Sequence, residues 1–175
     1  RTRTHDLVCH IAENTSLDPI PHLTCVGHSK KEITTILQSY ADAGIDNILS
    51  LRGDALKNGI DNSDFEYAAD LVSFIREFPG ASFGIGVAGF PEGHPETPNR
   101  LLQMEHLKAK VDRGVDWICS QLFFDNASFY DWIERCELAG ITTPTFAGIM
   151  PITSIAGMRR MADLAGGANF PAKLQ

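Results

Sequence analysis

The chain has 175 residues, enough for one domain with a real apolar core and too few for two comfortable ones. Its 43% hydrophobic and 21% charged residues are ordinary for a globular protein, and a net charge of −7 with no basic stripe excludes a nucleic-acid binder. No apolar run approaches the roughly 20 residues that a bilayer-spanning helix needs, which argues against a membrane role.

In chain order, Thr4 to Asn14 reads as a helix, and His22 to Val26 as a first strand. Ser29-Lys30-Lys31-Glu32 has capping-box spacing, with a serine to accept from a free N–H and a glutamate to reach back. Ile33, Ile36, Leu37, Tyr40 and Ala41 then recur on one helical face, and Gly44 is placed to end it. The run Ile45 to Leu51 is short and rich in β-branched residues, as a buried strand is. Ser63-Asp64-Phe65-Glu66 repeats the box and should head a helix with Phe65, Ala68, Val72, Ile75 and Phe78 inward, ended by Pro79-Gly80.

Strand Phe83 to Ala88 follows, then a Pro- and His-containing loop from Phe90 to Pro98. Helix Asn99 to Arg113 should bury Met104, Leu107 and Val111 and stop at Gly114. Strand Trp117 to Leu122 leads to Asn126, the expected N-cap of a helix burying Phe129, Trp132, Ile133 and Cys136 before Gly140. Strand Thr145 to Met150 and a helix around Ile155, Met158, Met161 and Ala162 complete the pattern.

Five strands, each followed by a helix, predict a parallel α/β sheet with right-handed crossovers. A doubly wound sheet and a (β/α)₈ barrel both fit. The glycine-rich dinucleotide fingerprint is missing, since Gly84-Ile85-Gly86 precedes a strand end rather than a helix. The expectation is therefore a (β/α)₈ TIM barrel of which about five consecutive units are visible. A closed barrel takes about 250 residues, so 1–175 is expected to be a single domain, incomplete at both ends.

Parallel architectures place ligands at the carboxyl ends of their strands. Those ends carry Cys25 to His28, Arg52-Gly53-Asp54, Phe90 to Glu96, Gln121 to Asp125 and Pro151 to Ser154. Each has a plain alternative. Asp54 could cap a helix approach, His22 could be a satisfied core histidine, and Phe123-Phe124 could be core. Lys108 and Lys110 could belong to a solvated helix face. Gln121 is more informative, because an amide ending a buried strand must find partners or cost a few kcal/mol. His28 and His94 lack any metal-binding spacing, so no metal is expected. Cys9, Cys25, Cys119 and Cys136 are widely spaced with no CxxC, as in a reduced, cytoplasmic protein.

Six segments together resemble one family. Pro21 to Cys25, Asn47 to Asp54, Gly86 to Glu96, Leu107 to Asp112, Gln121 to Asp125 and Gly148 to Ile152 are similar, in order, to the methylenetetrahydrofolate reductases. The resemblance implies a TIM barrel holding FAD, an oxidoreductase of one-carbon and methionine metabolism. Such an enzyme takes hydride from NADH or NADPH and reduces 5,10-methylenetetrahydrofolate to 5-methyltetrahydrofolate.

Residue by residue, the resemblance implies that Asp54 is catalytic and faces both flavin and folate, and that Gln121 binds the pterin. It further implies that His22, Arg52, Gly53, Asp54, Tyr67, Ala68, Phe90, His94, His106 and Lys110 contact FAD, with His22 beneath the isoalloxazine and His94, His106 and Lys110 at the ribityl and phosphate portion. Partners would be folate and a nicotinamide nucleotide, with a homo-oligomer left open.

The chain departs from the family at several positions. Phe90 stands where many members have tyrosine, Gln103 where aspartate is common, and Ala109 where some bacterial members have arginine. Nothing matches the family's general-acid glutamate in its first-strand Glu-Phe-Phe-Pro-Pro stretch. Two other readings stand beside this one. Another TIM-barrel enzyme binding a phosphorylated ligand would need a glycine-rich phosphate loop, for which Gly166-Gly167 is the candidate. A non-catalytic barrel remnant would need no acid.

Overall fold

The computed structural model describes residues 2–54, 63–165 and 171, and they fall into two compact units. One comprises 1–87 with 112–116; the other comprises 88–111 with 117–175. In the first unit, helix α1 (Thr2–Asn14) precedes strand β1 (His22–Thr24), helix α2 (Lys30–Asp42), strand β2 (Asn47–Leu51) and helix α3 (Ala68–Arg76). Strand β3 (Gly84–Gly89) begins there and ends in the second unit. That unit also holds helix α4 (Arg100–Val111), strand β4 (Trp117–Ser120), helix α5 (Asn126–Leu138), strand β5 (Thr145–Phe146) and helix α6 (Ile155–Leu164).

The pairings β1–β2, β2–β3 and β4–β5 are parallel, and the sheet runs in sequence order, β1-β2-β3-β4-β5, as repeated β/α units require. Leu23 sits beside Ser50, and Ser50 beside Val87. β4 follows β3 through Asp116 N–H to the Ile85 carbonyl at 2.8 Å and Gln121 N–H to the Gly89 carbonyl at 2.7 Å. Leu23, Ile48, Ile85, Val87 and Ile118 are fully buried, so β1 to β4 each place an apolar side chain in a core.

α2 forms as its sequence demands. Ser29 Oγ accepts from Glu32 N–H, the Glu32 carboxylate accepts from Ser29 N–H at 2.7 Å, and Gly44 ends the helix at φ +73°. Ile33, Leu37 and Tyr40 are buried, while Ile36 and Ala41 are half-buried.

The second predicted box does not start a helix. Ser63 Oγ instead donates to the Cys25 carbonyl at 2.7 Å and accepts from Phe65 N–H, and Asp64 accepts from Lys30 N–H at 2.8 Å. α3 begins only at Ala68, where Asp70 accepts from the Tyr67 and Glu66 N–H groups. At its other end Arg76 reaches the carbonyls of Gly114 (2.6 Å) and Phe83 (2.7 Å) and the Asp116 carboxylate, tying α3 to the segment before β4.

Other elements are shorter than expected. β1 stops at Thr24, although Cys25 and Val26 N–H still bond the Leu51 and Arg52 carbonyls. β5 covers two residues, with Phe146 60% and Ile149 78% exposed. Asp125, not Asn126, caps α5, its carboxylate accepting from Ala127 N–H at 3.1 Å. On that helix Trp132 and Cys136 are buried and Phe129 and Ile133 only half-buried; on α4, Leu107 alone is buried. All four cysteines are free, Cys25 and Cys136 buried and Cys9 and Cys119 half-buried. Among the described residues no helix is long and apolar enough to cross a membrane.

Candidate functional site

In the first unit the residues of interest gather where β2 ends. Arg52, Gly53 and Asp54 follow its last residue, and Arg52 and Asp54 are exposed. Val26 N–H at 3.0 Å and the Cys25 thiol at 3.4 Å both donate to the Arg52 carbonyl, which holds the turn against the end of β1. Gly53 adopts φ +88°, and a Cβ there would lie 3.0 Å from the Thr24 Cβ. Both the left-handed backbone and the close approach require glycine, and together they set the direction in which Asp54 leaves the strand.

His22 opens β1 and is exposed, so it is not a core histidine. Its register partner is Leu49, three residues short of Arg52, or about 10 Å lower along the strand. Tyr67 and Ala68 meet at the start of α3, with Tyr67 56% exposed. A hydrogen bond to Glu66 raises the Tyr67 phenol above its ordinary pKa. On β2 the Ser50 hydroxyl is buried and has no hydrogen-bond partner among the described residues. An orphaned buried hydroxyl two residues before Arg52 is a feature that residue patterning could not reveal.

The second unit holds the remaining candidates around the end of β3. Phe90 follows that strand, half-buried, and its ring meets the His94 ring edge-on at 4.6 Å. His94 Nδ1 accepts from Glu96 N–H at 3.2 Å. Gln103, where an aspartate was the family expectation, donates to the Thr97 carbonyl and lies beside Gly93, whose φ is +104°. Gln103, His106 and Lys110 fall three and four apart, on one side of α4. His106 is exposed.

Lys110 is not part of a solvated face. Its Nζ donates to the Ala88 carbonyl at 3.2 Å, and burial pulls its pKa down to about 8. The residue keeps some exposed surface, but its ammonium is packed among protein atoms on nearly every side.

Gln121 leaves β4 half-buried. Its Oε1 accepts from Leu122 N–H at 3.0 Å, and its Nε2 makes no hydrogen bond among the described residues. Ser120, which residue patterning does not single out, is buried and bonds both Gln121 and Gly148. The only signal for it was a serine inside an apolar run. Among the described residues no cluster of three or more His, Cys, Asp or Glu could hold a metal. The alternative phosphate loop, Gly166-Gly167, lies outside the described residues.

Comparison with known proteins gives a consistent result. The family model described as methylenetetrahydrofolate reductase matches residues 1–175. A 5,10-methylenetetrahydrofolate reductase of Salmonella typhimurium is 39% identical over 164 residues, covering 94% of this chain and 54% of that protein. Methylenetetrahydrofolate reductase 2 of Saccharomyces cerevisiae is also 39% identical, covering 90% of this chain and 27% of its own length. The chain thus spans about half or less of these relatives.

Among solved structures, an uncharacterized protein from Clostridium thermocellum that binds two copies of 5-methyl-5,6,7,8-tetrahydrofolic acid matches with a TM-score of 0.61. It is 12% identical, and the match covers 93% of this chain and 55% of that one. A 2,3-dimethylmalate lyase of the PEP mutase/isocitrate lyase superfamily matches with a TM-score of 0.59 at 11% identity, covering 99% of this chain and 69% of that one. At such identities the likeness is one of fold, of the barrel type.

Proposed function

The chain belongs to the methylenetetrahydrofolate reductase family, and from that premise we propose that its protein reduces 5,10-methylenetetrahydrofolate to 5-methyltetrahydrofolate. FAD would be the bound cofactor and NADH or NADPH the hydride source. The observation that carries this reading is the family match over the whole chain, with Arg52-Gly53-Asp54 standing directly after a buried strand.

Asp54 has the role that matters most. A fixed carboxylate favours the positive charge that develops when the folate ring opens to its 5-iminium cation. Gly53 lets the backbone come close while the Asp54 side chain stays exposed. Gln121 offers an amide N–H₂ that makes no hydrogen bond among the described residues, suited to an acceptor on the pterin.

Each unit carries residues whose chemistry suits part of a flavin dinucleotide. Lys110 supplies a desolvated ammonium for a phosphate, with His106 one turn away on α4 and His94 held against Phe90. Arg52, Tyr67 and Ala68 line the first unit's turn and the start of α3, and exposed His22 lies lower on β1. When bound, FAD supplies the hydride relay between nicotinamide and folate that no amino-acid side chain can perform. The Phe90 ring can stack but not donate, so one hydroxyl contact common in the family is absent here.

The test is Asp54→Asn in the full-length protein, with flavin content checked first. Stopped-flow measurement should show the folate half-reaction slowed on the order of 10²-fold, the loss of one preorganised electrostatic partner. The nicotinamide half-reaction should be slowed less, because removing a negative charge favours electron gain. An unchanged folate half-reaction would leave Asp54 as a turn residue only.

A further inference from the structure

The Ser120 hydroxyl is used twice. It donates to the Gln121 carbonyl at 3.0 Å and accepts from Gly148 N–H at 2.9 Å, two residues beyond β5. The fit is close, because a Cβ on Gly148 would collide with the Ser120 carbonyl. On its other side, Gln121 N–H donates to the Gly89 carbonyl at 2.7 Å. Both backbone groups of Gln121 are therefore fixed, one by the end of β3 and one through Ser120 to the segment after β5.

The side chain is fixed as well. Leu122 N–H can only donate, so the amide atom 3.0 Å from it must be oxygen. The Nε2 is thereby left with two donors that meet no acceptor among the described residues. A donor held this way recognises an acceptor on a ligand and rejects a donor in the same place.

We infer that Ser120 is a positioning residue for folate recognition, holding Gln121 so that its Nε2 faces the substrate. The inference rests on the reading of Gln121 as a pterin contact. It goes beyond it by assigning the orientation to one buried hydroxyl and to the Gly148 backbone.

The experiment uses full-length holoenzyme of equal flavin content and five variants: Gln121→Ala, Ser120→Ala, Ser120→Cys, Ser120→Thr and the double Ser120→Ala/Gln121→Ala. Cysteine keeps the volume while weakening the acceptor, so it serves if alanine does not fold. Ser120→Thr retains the hydroxyl and is the rescue. The readouts are the folate KM and kcat, the dissociation constant of 5-methyltetrahydrofolate by titration, and the rate of the nicotinamide half-reaction.

Gln121→Ala should weaken folate binding by roughly 10-fold, the worth of one good hydrogen bond. Ser120→Ala and Ser120→Cys should raise folate KM and the dissociation constant by about 3- to 10-fold, leaving the nicotinamide half-reaction unchanged. Threonine should recover most of that loss. Ser120→Ala should add nothing once Gln121 is alanine, because it acts through that residue. Independent losses in the double variant, or equal slowing of both half-reactions, would overturn the inference. If Gln121→Ala binds folate as the parent does, the reading of Gln121 falls and this inference with it. If Gln121→Ala is impaired while both Ser120 variants behave as the parent, the Ser120 assignment alone falls.

Discussion

Helices α2 and α4 are nearly the same length, 13 and 12 residues, yet they are built for different ends. α2 turns Ile33, Leu37 and Tyr40 into the core, closes its first turn with a reciprocal Ser29–Glu32 pair and ends on Gly44. α4 buries only Leu107 and carries Gln103, His106 and Lys110 along one side, with the Lys110 ammonium withdrawn from water. A helix that has only to pack can follow an apolar stripe without exception. On the function proposed above, α4 also offers charge to a ligand, and it buries fewer apolar residues than α2 does.

The largest effect expected from this contrast is on α2. Leu37→Ala should destabilise the full-length protein by about 2–5 kcal/mol in denaturant unfolding, because Leu37 is wholly buried and its removal leaves a cavity. Flavin affinity, measured on the folded fraction, should stay near the parent value. A variant that kept its stability would mean that α2 is not the packing helix described above.

On α4 the converse is expected. Lys110→Met should keep or raise stability at pH 7, since it removes a cation that burial disfavours, while flavin retention drops by 10-fold or more for lost phosphate attraction, on the order of one charge-assisted bond. Loss of stability with flavin binding intact would reverse the contrast between the two helices.

The pH dependence sharpens it. Lys110 has a folded-state pKa lowered from 10.5 to about 8. Between those values the unfolded chain still holds a proton that the folded protein has released, so stability rises with pH through that window. Relative to Lys110→Met, the parent should gain up to about 3 kcal/mol between pH 8 and pH 10.5, read from unfolding midpoints. Flavin affinity should move the other way, strongest below pH 8 and weakening above it, because an anionic phosphate needs the protonated amine.

The smallest effects concern the caps. Ser29→Ala should cost about 1 kcal/mol, as a broken reciprocal cap does. Asn99→Ala, which removes the acceptor for Leu101 and Leu102 N–H at the head of α4, should cost about the same. Equal costs would place the difference between the helices on their inward faces, not on their ends.

What the sequence determined by itself was local and periodic. The Ser29 box, the Gly44 stop, the alternation of five strands with helices and the turn at Arg52-Gly53-Asp54 are written within a few consecutive residues, where capping geometry and hydrophobic period decide the outcome. The order of motifs along the chain was enough to name the family, which the match over residues 1–175 bears out. Other features depended on partners far away in the chain. Ser63 could have capped α3, but the Cys25 carbonyl, 38 residues earlier, took its hydroxyl, and the helix started at Ala68 instead. Lys110 could equally have belonged to a solvated helix face, and the Ala88 carbonyl, 22 residues away, is what draws its ammonium out of one. Ser120 gained its meaning only from Gly148, 28 residues on. A hydroxyl or an ammonium has several partners it could satisfy. Which one it meets is a matter of long-range packing, so tertiary structure alone decided it.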